Sequence, residues 1–155
     1  MKLVVNTLLG VGMQTVAEAV ILGQRAGLDR NLLLEVLAKT AVIAPALAGK
    51  LERVKNNDYS AQFPVELMNK DFRLILETAA EMKVPMPATA AAFQVNAAEL
   101  AGKHDADFSI VVELMEKLAS LRPLEESAQT DQAHEHHANS TGIDYAELLG
   151  ASLRR

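Results

Sequence analysis

The stretch KLVVNTLLGVGMQTVAEAVILGQRA, residues 2–26, decides the fold. Its apolar residues, Leu3, Leu8, Val11, Val16 and Ala19 among them, fall on more than one helical face, and Gly27 follows as a residue that can end a helix in the left-handed region. A helix that is apolar nearly all round belongs in the middle of a bundle. By composition the stretch could pass for a membrane span or a signal peptide. Asn6, Gln14, Thr15 and Glu18 interrupt it well inside the ~20 residues a span requires, and no small-residue cleavage motif follows a compact apolar region. The expectation is a core helix with no membrane partner.

Outward from that helix, Asp29 is placed to cap a second helix through Lys39, and Pro45 opens a third through Lys55. The turn formers Asn56 to Ser60 follow, and the Phe63-Pro64 pair disfavours helix at Phe63 while allowing one from Val65 to Met82. Pro85 and Pro87 punctuate the chain before an Ala-rich helix from Ala88 to Ala101, which Gly102 is expected to stop. Asp107 then caps a helix from Phe108 to about Ser120. No convincing strand run and no internal repeat appear. The fold expected is all-α, a helical bundle around a long central N-terminal helix, occupying residues 1–121.

From Arg122 the composition turns to Glu, Gln, Ser, Thr, Asn and His, so residues 122–142 read as a polar flexible linker. Residues 143–155 read as a short C-terminal helix using Ile143, Leu148, Leu149 and Leu153. His134, His136 and His137 fall in the linker without an organising scaffold, so they read as a solvated tract and no metal site is expected.

Half of the 155 residues are apolar but only 4% are aromatic, so one core is to be built from Ala, Leu, Val, Ile and Met. Met68, Met82, Met86 and Met115 are read as its fillers. The net charge is −5 and the basic residues are scattered, which excludes the basic footprint of a nucleic-acid binder. With no cysteine there is neither a disulfide framework nor a thiolate metal site, and the acidic composition fits the cytoplasm. Gly10 and Gly12 lie mid-helix, follow no strand and lack the third glycine of a dinucleotide loop, so they mark close helix packing.

Lys2 and Asn6 are four residues apart, hence on one face near the start of their helix, and can reach one substrate atom together. A lysine in a partly dry pocket can give and take a proton, and an amide beside it can hold a substrate oxygen. By itself the pair proves little, because a lysine at a helix start reads first as a solvated charge.

An ordered set of short motifs accompanies the pair: Lys2-x-x-x-Asn6, Ala17-Glu18-Ala19, Gly27-Leu28-Asp29, Phe63, Leu67-Met68-Asn69-Lys70-Asp71, Val84-Pro85-Met86-Pro87 and Asp107-Phe108-Ser109. With these the chain, from Lys2 to about Leu121, resembles the helical C-terminal domain of the β-hydroxyacid dehydrogenases, the 3-hydroxyisobutyrate dehydrogenase and tartronate semialdehyde reductase family, whose domain is 6-phosphogluconate dehydrogenase-like. The resemblance implies a catalytic acid/base role for Lys2, substrate binding by Asn6 and contact of Lys70 with an NAD or NADP cofactor. Asp71, next to Lys70, is expected to orient or pair. Phe63 stands where the family places residues near the substrate pocket, and a hydrophobic plug is an equally good reading. Asp107 and Ser109 read as an N-cap and its first turn, with no chemistry assigned.

The resemblance further implies a small 3-hydroxy acid or semialdehyde as substrate and a dinucleotide-binding domain as partner. No glycine-rich phosphate loop of that domain is present in this sequence, so the chain alone is expected to be inactive. The long apolar first helix leads to an expected homodimer. The competing reading is a non-catalytic helical dimerisation or interaction module that kept the fold without the chemistry.

Overall fold

Backbone rules set the ends of the helices, and side-chain periodicity sets which face of each is buried. A computed structural model describes residues 1–103 and 105–121. Helix α1 spans Lys2–Arg25, and the chain leaves it through Gly27 at φ +87°, a conformation that costs glycine nothing. Helix α2 (Arg30–Ala38) starts where the Asp29 carboxylate accepts the Leu32 N–H at 2.8 Å. Helix α3 (Pro45–Lys55) opens with proline at its first position, where no intrahelical donor is lost. Helix α4 covers Val65–Glu81, and α5 covers Pro87–Lys103. A 3-10 turn, Phe108–Ile110, leads into α6, Val111–Leu118. Among the described residues the only β-type pairing is one isolated bridge between Pro64 and Asp107.

Helix α1 is central, as its composition requires: among the described residues it packs on each of the other five α-helices. Its inner face, Met13, Val16, Ala17 and Val20, meets Leu34, Leu51, Met68, Phe72 and Val112 in a single core. Burial is not complete around it, because Val5, Leu8 and Leu22 stay exposed. By length and composition α1 is also long and apolar enough to cross a membrane, though a third of its most apolar stretch is buried in this fold.

Gly10 shows why a residue without a side chain is needed here. A Cβ at that position would stand 2.4 Å from Cζ of Phe72 and 2.9 Å from Sδ of Met68, so α4 can approach α1 this closely only against a glycine. Gly12 does the same against Leu47, at 2.9 Å.

Two buried ionic clusters tie the helices together. Both carboxylate oxygens of Asp107, a fully buried residue, accept from Lys50 Nζ, at 2.9 and 2.7 Å. Its Oδ2 also takes the backbone N–H groups of Gln62 and Phe63, and its Oδ1 takes the N–H and hydroxyl of Ser109. Burial pushes the Asp107 carboxyl up, but Lys50, Ser109 and the backbone donors outweigh it and hold the group below its ordinary value. In the second cluster Glu116 Oε1 accepts from Gln24 Nε2 at 2.9 Å and Arg30 Nε at 2.5 Å, while Arg30 also reaches the Val54 carbonyl. That one carboxylate joins α1, α6 and the start of α2, and Arg30 extends the link to α3.

Three expectations need correction. Gly102 does not stop α5, which runs through it to Lys103; the glycine has no left-handed φ, and its intrinsic cost of about 1 kcal/mol is too small to end an Ala-rich helix. The segment from Phe108 begins as a 3-10 turn before becoming α-helical, although Asp107 caps it as expected. Met82 is 69% exposed and fills no core. It continues the buried stripe Met68, Phe72, Ile75 and Ala79, but the chain reverses at Lys83, φ +57°, so nothing covers that last turn. The expected linker at 122–142, the C-terminal helix at 143–155 and the three linker histidines lie outside the described residues.

Removal of the Asp107 carboxylate in Asp107→Ala strands buried Lys50, three backbone donors and the Ser109 hydroxyl, and is expected to cost about 3–5 kcal/mol in urea melts. The same group predicts a pH dependence. Its folded-state value is depressed, so its contribution is present above about pH 4 and lost as pH falls through that depressed value. Gly10→Ala gains about 1 kcal/mol of helix propensity but forces Phe72 and Met68 aside, an overpacking cost of about 1–3 kcal/mol. A net loss of stability of about 1–2 kcal/mol is expected in the same measurement.

Candidate active-site face

Lys2 and Asn6 open α1 on one side of the helix, and the close crossing at Gly10 brings the middle of α4 opposite them. The residue of α4 that arrives there is Asp71. Lys2 Nζ donates to Asp71 Oδ1 at 3.2 Å, and Asn6 Nδ2 donates to Asp71 Oδ2 at 2.5 Å. The carboxylate is thus shared, one oxygen for each partner, and its side chain is 5% exposed against 71% for Lys2. The ammonium faces solvent while its counter-ion is walled in, an arrangement that leaves two N–H groups of Lys2 free to meet a ligand. Asn6 keeps its amide oxygen as an acceptor.

Lys70, the preceding residue of α4, is exposed and among the described residues makes no ion pair. It stands as a free cation beside the cluster, suited to an anionic or carbonyl-bearing part of a cofactor. Phe63 is half-buried, and its contacts lie with the core. Its ring meets that of Phe108 edge-to-face at 5.8 Å, and its N–H is held by Asp107. The structure therefore joins Lys2, Asn6 and Asp71 directly, sets Lys70 next to them in α4, and gives Phe63 the contacts of a plug. Among the described residues no group of three His, Cys, Asp or Glu side chains could hold a metal ion.

Two apolar grooves flank α1. One, of about 160 Å³, lies at the Lys2 end and is lined by Leu3, Val4, Ile75, Met82 and Val84 among others. The other, of about 490 Å³, runs between the exposed stripe of α1 at Leu8 and the segment around Val42, Ile43 and Leu47.

Lys50 was invisible to motif reading although it anchors the loop before α4. The signal available was its place in the apolar stripe Leu47, Leu51, Val54 of α3, where a charged residue must find a buried partner. Glu116 gives the same signal four residues after Val112 in α6.

Comparison with known proteins agrees with this architecture. The family described as "NAD-binding of NADP-dependent 3-hydroxyisobutyrate dehydrogenase" matches residues 1–115. The chain is 37% identical over 121 residues to "Glyoxylate/succinic semialdehyde reductase 2, chloroplastic" of Arabidopsis thaliana, covering 77% of this chain and 34% of that protein. It is 33% identical over 122 residues to "2-(hydroxymethyl)glutarate dehydrogenase" of Eubacterium barkeri, covering 77% and 40% respectively. The crystal structure of a 3-hydroxyisobutyrate dehydrogenase from Salmonella typhimurium superposes with a TM-score of 0.67 at 27% identity, over 73% of this chain and 40% of that one. The chain thus spans between a third and two fifths of the length of these relatives. By a match over residues 1–115, which runs from α1 into α6, and by the fold it shares with solved 3-hydroxyisobutyrate dehydrogenases, the chain belongs to the NAD-binding family of NADP-dependent 3-hydroxyisobutyrate dehydrogenase.

Proposed function

We propose that this helical unit forms the proton-transfer face of an NAD(P)-dependent oxidoreductase that interconverts a small 3-hydroxy acid and its semialdehyde, a dinucleotide-binding domain completing the site. The observation that carries the reading is the convergence of Lys2 and Asn6 on Asp71. Family membership and the names of the relatives, reductases and dehydrogenases of small acids, support the reaction class.

The bound nicotinamide supplies or accepts the hydride. This chain's residues handle the proton and the substrate. As a carbonyl is reduced, negative charge grows on its oxygen, and an ammonium within reach stabilises that charge and delivers the proton. Lys2 is that donor, and in the oxidative direction its neutral amine accepts the hydroxyl proton. Asp71 is a positioning residue: held in the α1–α4 seam, it fixes the Lys2 ammonium and the Asn6 amide in one geometry without itself facing the substrate. Asn6 holds a substrate oxygen. Lys70 meets the cofactor, NAD or NADP, from the position just before Asp71 in α4. Phe63, half-buried behind its contact with Phe108, is the remaining candidate to wall the substrate. Among the described residues there is no strand, hence no strand–glycine loop–helix unit to bind a pyrophosphate, so this face contacts the cofactor only along one edge and the chain alone has no turnover.

We also place the protein in the cytoplasm, in keeping with its acidic composition. The exposed stripe of α1 with its 490 Å³ groove favours a symmetric homodimer, which light scattering over a wide concentration range would reveal; a monodisperse monomer throughout would exclude it.

In the assembled enzyme, Lys2→Ala is expected to lower kcat by two to four orders of magnitude, roughly the worth of a general acid/base, with cofactor affinity little changed. Lys70→Ala is expected to raise the cofactor Kd, and Asn6→Ala to act mainly on KM. Asp71→Asn frees the two donors from their charged acceptor and should reduce kcat while the conservative Asp71→Glu recovers part of it. Near wild-type turnover for Lys2→Ala across the pH profile would sink the catalytic reading and leave the interaction module in its place.

A further inference from the structure

The seam between α5 and α6 holds four charged side chains that the proposed chemistry does not use. Glu113 of α6 is clamped by two lysines, with Lys103 Nζ of α5 and Lys117 Nζ of α6 each 2.8 Å from its Oε1. Glu99, one turn before Lys103, is only 8% exposed, and among the described residues it makes no side-chain hydrogen bond or ion pair. Its neighbour Asn96 is also buried, with Oδ1 unbonded. A carboxylate in that position has little water and no donor to stabilise its charge, and it lies in the field of a second carboxylate whose lysines are already engaged.

We propose that the α5–α6 seam is a proton-operated clasp, closed while Glu99 is the neutral acid beside ionised Glu113 and loosened when both carboxyls are ionised. Burial, and after it the charge of Glu113, pushes the Glu99 carboxyl up to about 7, against the weaker pull of Lys103 and Lys117. Burial pushes Glu113 up as well, but its two lysines outweigh that and hold it below its ordinary value. Two carboxyls of one seam are thereby driven apart in proton affinity. The charged groups acting on Glu99 are Lys103 from its own helix and Glu113 and Lys117 from α6. Helix α1, which packs on both, brings the neutral amide of Gln14, bonded to Glu18. His104 lies outside the described residues.

The clasp has a route to the Lys2 face. Phe93 of α5 stacks edge-on against Phe72 of α4 at 6.4 Å, and Phe72 sits next to Asp71 and against Gly10. Loosening α5 removes part of the backing that holds Asp71 in place. The clasp itself does not depend on the proposed catalytic roles, and its test reads no activity.

The experiment is a titration of the Glu99 side-chain carboxyl by ¹³C NMR in the full chain from pH 4 to 9, with amide exchange followed along residues 96–103. Glu99 is expected to titrate near 7, with exchange in the last turns of α5 rising beyond the intrinsic base-catalysed increase over the same range. The folded-state value is raised, so this stability is fully present below the ordinary glutamate value and is lost as pH rises to about 7. The folding equilibrium constant should fall by up to about tenfold per pH unit between those limits. Glu99→Gln should remove that slope, and the difference from wild type cancels any histidine contribution. Glu113→Gln frees both lysines to act on Glu99 and should lower its midpoint. Titration of Glu99 near the ordinary value of 4.5, or an unchanged stability slope in Glu99→Gln, would overturn the proposal. Should Glu99→Gln fail to fold, the wild-type titration still decides.

Discussion

A carboxylate taken fully out of water must be given donors on all sides or be neutralised, and Asp107 is given them from three separate parts of the chain. Lys50 comes from α3, the Gln62 and Phe63 amides from the loop ahead of α4, and Ser109 from the turn that Asp107 itself caps. The backbone closes the same junction: Val65 donates to the Ala106 carbonyl and Phe108 to that of Phe63. The start of α4 is therefore pinned against the start of α6. Because a helix is rigid over a few turns, pinning Val65 also sets where Asp71 emerges, less than two turns later. Lys50 further lies 4.8 Å above the Phe108 ring, so the same ammonium serves the charge and the aromatic packing.

The position of Asp71 has a second determinant in the glycine at the α1–α4 crossing. A methyl group at Gly10 would press on Phe72 and Met68 and push α4 outward. Asp71 adjoins Phe72, and it must come within 2.5–3.2 Å of two side chains on α1. A displacement of even an ångström would leave one partner unbonded, so the Lys2–Asn6–Asp71 cluster depends on an absent side chain as much as on its charged ones.

The two internal ion clusters divide the labour. Asp107 fixes the junction where α4 begins, while Glu116 gathers α1, α2 and, through Arg30, the last turn of α3. Between them lies an ordinary apolar core of Met13, Val16, Leu51, Phe72 and Val112. The core supplies burial without direction, and the buried carboxylates, each needing particular donors, select which of several close packings is adopted.

The helices themselves were legible in the sequence because their signals are local. Gly27, Asp29, Pro45 and Asp107 act on backbone within a few residues, and the spacing of Lys2 and Asn6 puts them on one face wherever that helix packs. Local rules failed where two local outcomes were both allowed. Gly102 could end a helix or sit inside one, Met82 could continue a buried stripe or stand beyond its cover, and Phe63 could plug the core or face a ligand. What only the tertiary structure decided is which residues distant along the chain share a partner. Lys2 reaches Asp71 across 69 residues, Lys50 reaches Asp107 across 57, and Arg30 reaches Glu116 across 86. Helical periodicity says which way each side chain faces along its own axis; the crossing angles and close approaches that choose its partner come from packing the described helices together.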